Sequence, residues 1–290
     1  RKKLDISGDW DISIEKPNAL RLAKWELQIE GSEMKPEVDC QPIINQVSDT
    51  SIPLPVKLKD YFGTPKEMQF PELQCRYKTR FKLDIKTPIL LVMEPDSIEG
   101  EWQLEVNGNC ISPEDFISKK VYMSTNLAVD ITSYLNLGSN EILVNVYTRH
   151  VHDGLVNPLY LCGDFSVIKD SKIWKITSFN SKGQILDVIN TGIPFYAGQI
   201  QYKKLISLDK QLIGDMLELY INEPSFQDTV KAYINGRYIG TCAWNPYSWK
   251  VDRSWLNEGE NEIQLNISTT LIGLFEGQYF DYNKHSYVDI

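Results

Sequence analysis

Two stretches of the sequence share the pattern L-N-x-G-x-N-E-I: Leu135–Ile142 reads Leu-Asn-Leu-Gly-Ser-Asn-Glu-Ile, and Leu256–Ile263 reads Leu-Asn-Glu-Gly-Glu-Asn-Glu-Ile. The copies start at residues 135 and 256, an offset of 121. Three landmarks precede each copy in the same order: Gly63-Thr64-Pro65 and Gly192-Ile193-Pro194 at an offset of 129, Tyr77-Lys78 and Tyr202-Lys203 at 125, and Val106-Asn107-Gly108 and Ile234-Asn235-Gly236 at 128. Solenoid units repeat every ~20–50 residues. This longer period predicts two whole domains, residues 1–168 and 169–290, divided near Lys169.

Strand patterns recur around these landmarks. Trp102–Val106 and Val230–Ile234 alternate apolar and polar residues, and each run is followed by Asn-Gly. Asn-Gly between such runs is the strongest short-range signal for a β-hairpin. Ile142–Tyr147 and Ile263–Ile267, which follow the repeated turns, alternate in the same way. No long stretch shows helical periodicity, so the sequence predicts an all-β chain of two tandem antiparallel β-sandwich, jelly-roll domains.

The first ~70 residues give weaker signals, since their turns and apolar positions are less regular. We expect strands over Leu4–Ile14 and Trp25–Ile29, and a long loop over Cys40–Leu58.

Composition excludes several classes of partner. The formal net charge of the 290-residue chain is −9, and such a field repels the phosphate backbone of nucleic acids. The longest apolar runs, such as Pro88–Met93, are far shorter than the ~20 residues of a membrane-spanning helix.

The five cysteines are odd in number and include no C-x-x-C pair, which indicates mostly buried thiols rather than zinc or redox sites. The sequence begins at Arg1 without a leader, as expected of a mature or excised fragment.

A family resemblance rests on motifs in a fixed order. In the first half these are Ser7-Gly8-Asp9-Trp10, Tyr77–Phe81, Val106–Gly108, Val129–Thr132 and Leu135–Val146. This order resembles the sugar-binding, galactose-binding-domain-like sandwiches of glycoside hydrolase family 2 and of α-L-rhamnosidase-like glycosidases. Later segments resemble the C-terminal region of the rhamnosidase-like enzymes: Asp153–Leu155, Asn157–Phe165, Gly192–Gly198, Gly240–Pro246 and Ile263–Leu274.

The resemblance implies a galactose-binding-domain-like fold for both domains and a place beside the catalytic domain of a larger glycoside hydrolase. A catalytic (β/α)₈ barrel needs ~250 residues, and no part of this sequence alternates strand and helix for that long. The resemblance therefore implies a non-catalytic, carbohydrate-binding accessory pair with no catalytic residue of its own. Its partners would be a carbohydrate or the parent's catalytic domain. A secreted or cell-envelope location follows if the parent is a bacterial polysaccharide-degrading enzyme.

The densest supply of sugar-binding side chains lies in Arg237–Trp249. Flat aromatic rings bind the apolar faces of sugars, and planar polar side chains bind their hydroxyls. The candidate residues are Arg237, Trp244, Asn245, Tyr247 and Trp249. Against this stands an ordinary alternative, in which Trp244, Tyr247 and Trp249 are core or inter-domain packing residues.

Metal and cofactor sites receive little support. His150, His152 and Asp153 resemble part of a metal site, but a structural zinc needs four ligands, so the ordinary surface interpretation is favoured. No D-x-D-x-D-G loop is present, and structural calcium stays open. We expect no other cofactor.

Two further functions stay open. In the first alternative, the chain is a self-contained glycosidase or lyase built on sandwiches. In the second, it is a structural or protein-interaction fragment without a ligand. Hydrolysis of aryl glycosides separates the first from an accessory role, and glycan titration separates the second.

Overall fold

The structure is a computed structural model that describes residues 4–47, 72–210, 217–221, 228–281 and 284–290. Its regular structure is almost entirely β-strand, and the α-helices in these ranges have five residues or fewer. The predicted all-β, antiparallel sandwich class is confirmed. None of the helices within the described ranges is long and apolar enough to cross a membrane.

The elements follow one another as short strands. In chain order the first strands are β1 (Trp10–Ile14), β2 (Asn18–Leu22), β3 (Lys24–Ile29), β4 (Lys35–Asp39), β5 (Leu73–Leu83), β6 (Leu90–Met93), β7 (Ile98–Glu99), β8 (Glu101–Val106), β9 (Asn109–Ile111), β10 (Ile117–Lys119), β11 (Asn126–Asp130), β12 (Gly138–Thr148) and β13 (Gly154–Leu155). The remaining strands are β14 (Leu159–Gly163), β15 (Ser166–Asp170), β16 (Ile173–Thr177), β17 (Lys182–Gly183), β18 (Gln199–Leu208), β19 (Leu217–Ile221), β20 (Thr229–Ile234), β21 (Arg237–Cys242), β22 (Tyr247–Val251), β23 (Gly259–Ser268), β24 (Gln278–Asp281) and β25 (Ser286–Asp289). The helices are α1 (Ile43–Val47), α2 (Val188–Thr191) and α3 (Ile272–Phe275), with single 3₁₀ turns at Pro113–Asp115, Thr132–Tyr134 and Arg253–Trp255.

The chain forms two compact units. We call Ala19–Ser178 the central unit, and Arg1–Asn18 together with Phe179–Ile290 the terminal unit. These boundaries differ from the sequence-based division at residues 168 and 169. β1 joins the terminal unit because it pairs with β18 and β17, and β16 stays in the central unit because it pairs with β5. Both differences are long-range strand pairings, which local sequence patterns do not encode.

The opening residues match the expectations in part. β1 and β3 lie within or near the expected strands Leu4–Ile14 and Trp25–Ile29. α1 occupies part of the stretch expected to be a loop. The rest of that stretch, residues 48–58, and the landmark Gly63-Thr64-Pro65 lie outside the described residues.

The central unit contains two main sheets. One has the order β15-β16-β5-β12-β8-β9, with β3 pairing β5 and β4, and the other has the order β10-β11-β6-β14-β2. β16 pairs with β5 in parallel, whereas β12 with β5, β12 with β8 and β3 with β5 pair antiparallel. Residues at alternate positions of the long strands are buried, for example Val144 and Val146 of β12, as expected of strands with one face on a core.

The terminal unit is built around a six-stranded sheet with the order β17-β1-β18-β23-β20-β21 and a two-stranded sheet, β19-β22. The two inner faces share one core. Its largest members are Trp10, Tyr196, Tyr202, Tyr247 and Trp249, packed with Ile12, Val230, Ile234, Leu265 and Ile267. Burial of each such side chain is worth about 1.5–3 kcal/mol, so this shared core holds the sandwich together.

The predicted Asn-Gly hairpins are confirmed. β8 pairs with β9 across Asn107-Gly108, and β20 pairs with β21 across Asn235-Gly236. The four turn residues have positive φ, 51° and 80° in the first hairpin and 49° and 76° in the second. A type I′ turn requires positive φ at both central positions, which asparagine and glycine adopt at low cost.

In the central unit, the repeated L-N-x-G-x-N-E-I turn is held by the side chain of Asn140. Its Oδ1 accepts hydrogen bonds from the backbone amide of Asn136 and from Nδ2 of Asn107, both at 2.8 Å. Its Nδ2 donates to the carbonyls of Asn136 at 2.8 Å and Gly138 at 3.1 Å. The Oδ1 of Asn107 in turn accepts from the amide of Glu141 at 2.9 Å. The buried Asn140 amide therefore joins the Asn-Gly hairpin to the start of β12.

The terminal unit has the same bonds at the matching residues. Asn261 Oδ1 accepts from the Asn257 amide and from Asn235 Nδ2 at 2.8 Å, and Asn261 Nδ2 donates to the carbonyls of Asn257 and Gly259 at 2.8 and 3.0 Å. The amide of Glu262 donates to Asn235 Oδ1 at 2.9 Å. The strand order β18-β23-β20-β21 likewise matches β5-β12-β8-β9.

Candidate carbohydrate-binding surface

The five sequence-predicted site residues lie along one edge of the terminal unit. Arg237 begins β21, Trp244 and Asn245 lie in the connection from β21 to β22, and Tyr247 and Trp249 lie on β22. β21 spans Arg237–Cys242, five steps of ~3.3 Å, so its two ends lie about 16 Å apart, and Trp244 lies in the connection beyond the far end from Arg237. The structure therefore does not bring all five side chains into one site.

Tyr247 and Trp249 belong to the core. Their exposed fractions are 1% and 4%, because both residues lie on the inner face of β22. The Tyr247 hydroxyl donates to the carbonyl of Asp228 at 2.8 Å. Trp249 packs so closely beneath Gly240 that an added Cβ there would lie 3.0 Å from Trp249 Cδ1. Neither ring presents a face to a ligand, which agrees with the packing alternative for these two residues.

Trp244 is the opposite case. It is 76% exposed, and its neighbours Ala243, Asn245 and Pro246 are exposed as well. We call Ala243–Pro246 the Trp244 loop. An indole left in water offers a large flat apolar face, and sugar rings bind such faces together with planar polar groups. Of the five predicted residues, Arg237, Trp244 and Asn245 are exposed, and the last two are adjacent in the Trp244 loop.

Arg237 sits at the far end of β21 and contacts another aromatic residue. Its guanidinium carbon lies 5.5 Å from the centroid of the Trp255 ring, within range of a cation–π contact. The side chain is exposed and lies at the opposite end of β21 from the Trp244 loop.

Sequence reasoning missed two aromatic residues on the outer face of the sheet. The rings of Tyr233 and Tyr238 lie with centroids 5.5 Å apart, and Tyr238 is 54% exposed. The hydroxyl groups of Tyr238 and Thr241 are 2.7 Å apart and hydrogen-bonded. The signal was present, because a two-residue Asn-Gly turn places Ile234 opposite Arg237 and therefore Tyr233 opposite Tyr238.

Asp228 directly precedes β20, and its carboxyl group is partly buried. Burial raises the pKa of Asp228 to about 6, against a smaller opposing effect of the Thr270 backbone amide. Glycoside hydrolysis uses two carboxyl groups ~5–10 Å apart. Among the described residues, no second carboxylate contributes to the shift of Asp228.

The residues considered as a metal site, His150, His152 and Asp153, lie at a hydrogen-bonded turn. The Asp153 carboxylate accepts hydrogen bonds from the backbone amides of Arg149 at 2.7 Å and His150 at 2.9 Å, and so closes the turn after β12. Within the described ranges, no group of three or more His, Cys, Asp or Glu side chains is placed to hold a metal ion. Two of the five cysteines, Cys75 and Cys162, are buried free thiols, and Cys110 is an exposed one.

Comparison with known proteins gives distant structural likenesses. No protein-family model and no curated protein matches the chain. A β-D-mannosidase from Dictyoglomus thermophilum is similar at 14% identity and a TM-score of 0.35, over 86% of this chain and 31% of that one. A glycosyl hydrolase family 2 member from Bacteroides cellulosilyticus has 13% identity and a TM-score of 0.30 over 87% and 32%. A β-glucuronidase from Ruminococcus gnavus is similar at 13% identity and a TM-score of 0.31, over 89% of this chain and 43% of that one.

The chain thus spans less than half the length of these glycosidases. The identities and TM-scores are too low to assign it to their family.

Proposed function

We propose that this chain is a non-catalytic pair of β-sandwich modules from a larger carbohydrate-active enzyme, and that it binds glycan through the Trp244 loop. The observation that carries the proposal is the 76% exposure of Trp244. Leaving an indole in water forgoes the stabilisation of its burial, and stacking on a sugar ring recovers part of it.

The proposal includes a relation between the two units. The Asn140 and Asn261 bonds, the Asn-Gly hairpins and the strand orders correspond one to one. We take the units as copies of one ancestral sandwich. The ordered motifs that resemble glycoside hydrolase family 2 support a place beside a catalytic domain, which itself would be the second partner of the chain.

The binding role is tested by titrating the chain with a panel of oligosaccharides up to millimolar concentration and measuring heat and tryptophan fluorescence. Trp244→Ala should weaken binding at least about five-fold, since stacking on an aromatic ring is worth on the order of 1 kcal/mol or more. Tyr287→Ala is the matched control, because Tyr287 is another exposed aromatic residue, at 57%, on the hairpin of β24 and β25.

The results divide the alternatives. If no glycan binds at millimolar concentration, or if Trp244→Ala and Tyr287→Ala behave alike, the proposed binding role is wrong. Turnover of aryl glycosides by the chain alone would instead establish a self-contained glycosidase.

A further inference from the structure

The six-stranded sheet of the terminal unit has an outer face. The proposed sugar contact at the Trp244 loop does not involve this face. Antiparallel partners lie on the same face of a sheet. The register places Tyr233 opposite both Gln264 and Tyr238, and it places Lys231 opposite both Asn266 and Thr241. We call these six residues of β20, β21 and β23 the outer face. Their neighbours Val230, Ala232 and Ile234 point the other way, into the core.

The outer face carries the groups that bind a sugar chain. Its two tyrosine rings are tilted by 57° to each other and offer aromatic surface, and its amides and hydroxyls supply donors and acceptors. Gln264 Nε2 donates to Asn266 Oδ1 at 2.9 Å, a bond that does not use the side-chain oxygen of Gln264 or the amino group of Asn266. The side chains of this face stand in rows along neighbouring strands, which lie ~4.8 Å apart. This spacing is about the width of a sugar ring.

The charges on this sheet point to an anionic ligand. Two lysines of neighbouring strands have carboxylate partners, Lys203 with Glu262 at 3.5 Å and Lys182 with Asp11 at 3.7 Å. Lys231 is exposed, and none of the ion pairs between described residues includes it. An unneutralised ammonium group among amides and aromatic rings suits a carboxylate better than a cation or a neutral group.

The matching face of the central unit has a different chemistry. The register there places Gln103 opposite Asn145, and Glu105 opposite Leu143. Glutamine thus stands in place of Lys231, and glutamate in place of Tyr233. The combination of a lysine and a tyrosine on this strand is therefore particular to the terminal unit.

We infer that the outer face is a second binding site, which takes an acidic glycan with uronate groups. Lys231 pairs with a uronate carboxylate, Tyr233 and Tyr238 contact ring faces, and Gln264, Asn266 and Thr241 bind hydroxyls. The inference rests on the proposed glycan-binding function, but not on the Trp244 loop.

The test uses the full chain and calorimetric titration with short oligogalacturonates and oligoglucuronates, each beside the same oligosaccharide with its carboxyl groups reduced to alcohols. The acidic forms should bind more tightly, and this preference should shrink with added salt. Lys231→Gln should remove about ten-fold of the affinity for the acidic forms and little for the reduced forms. Lys250→Gln, which removes the same charge from β22 in the other sheet, should leave the preference in place. Tyr238→Ala should weaken both forms.

Each outcome separates the two proposals. Acidic preference that disappears in Lys231→Gln but survives Trp244→Ala and Lys250→Gln supports the outer face. Equal binding of acidic and reduced forms, or equal loss of affinity in Lys231→Gln and Lys250→Gln, overturns the outer-face site. In that case, loss of binding in Trp244→Ala would still support the Trp244 loop as the glycan site. If none of the oligosaccharides binds, both the outer-face site and the glycan-binding function fail for these ligands.

Discussion

Two aspartates of the terminal unit show how the surroundings of one residue set its proton affinity. Burial raises the pKa of Asp228 to about 6. The pKa of Asp252 is lowered instead, because its carboxylate accepts hydrogen bonds from the hydroxyl and the backbone amide of Ser254, at 2.7 and 2.8 Å. Desolvation favours the neutral acid and hydrogen bonding favours the carboxylate. The two residues should therefore affect stability with opposite signs as pH changes.

We predict opposite pH effects for Asp228→Asn and Asp252→Asn. The folded chain favours protonated Asp228, so this contribution is complete below the unfolded pKa of 3.8 and is lost as pH rises through about 6. Asp228→Asn should therefore raise the urea midpoint at pH 8, with less gain as pH falls. Asp252 stabilises the fold above its unfolded pKa and loses this effect on acidification, so Asp252→Asn should lower the midpoint at pH 8. Parallel pH profiles for the two variants would contradict the assignment.

At the scale of elements, the Asn-Gly hairpin and the following long strand act as one piece. In each unit, one buried asparagine bonds the turn before the strand and the asparagine of the hairpin. Asn140 and Asn261 are each 1% exposed. Removing such a side chain breaks four part-buried hydrogen bonds within the turn and to the hairpin, which costs about 1–3 kcal/mol.

We predict that Asn261→Ala destabilises the terminal unit by about 3 kcal/mol, and Asn140→Ala the central unit by a similar amount. The matched control is Asn257→Ala, because Asn257 is exposed and joins the network through its backbone; its effect should stay within about 0.5 kcal/mol. Hydrogen exchange read by mass spectrometry assigns each loss to a unit. Equal effects of Asn261→Ala and Asn257→Ala would show that the buried amide does not hold the turn.

The same strands show which features of the candidate site depend on local sequence and which depend on tertiary packing. Alternation along β20 and the Asn-Gly turn were enough to place Tyr233 beside Tyr238, although sequence reasoning did not draw that step. Alternation along β22 also puts Tyr247 and Trp249 on one face, but only the packing of β22 against the six-stranded sheet makes that face the buried one.

At the scale of the whole molecule, the terminal unit is assembled from both ends of the chain. β1 pairs with β17 and β18, and its Trp10 and Ile12 are 2% and 4% exposed within the core. The motif Ser7-Gly8-Asp9-Trp10, assigned to the first half by resemblance, thus lies in the unit that contains the second half. The terminal unit cannot complete its core until the last strands have been made.

We predict that a chain beginning at Ala19 keeps a folded central unit and loses protection in the terminal unit. Without β1, the edge of β18 and the core around Tyr202 are opened to water. Hydrogen exchange should become fast over Gln199–Leu208 and Gly259–Ser268 while β12 stays protected, and a synthetic peptide of residues 4–18 should restore protection. Unchanged exchange over Gln199–Leu208 would contradict the role of β1.

The sequence by itself determined the all-β class, the two Asn-Gly hairpins and the long strands that follow the repeated turns. These features depend on backbone preferences and side-chain alternation within a few residues, which any local stretch carries. Tertiary structure alone decided that β1 completes the terminal unit and that Trp249 is buried while Trp244 is exposed. Pairings between distant strands and the choice of the buried face depend on contacts between residues far apart in the chain, and no local pattern contains them.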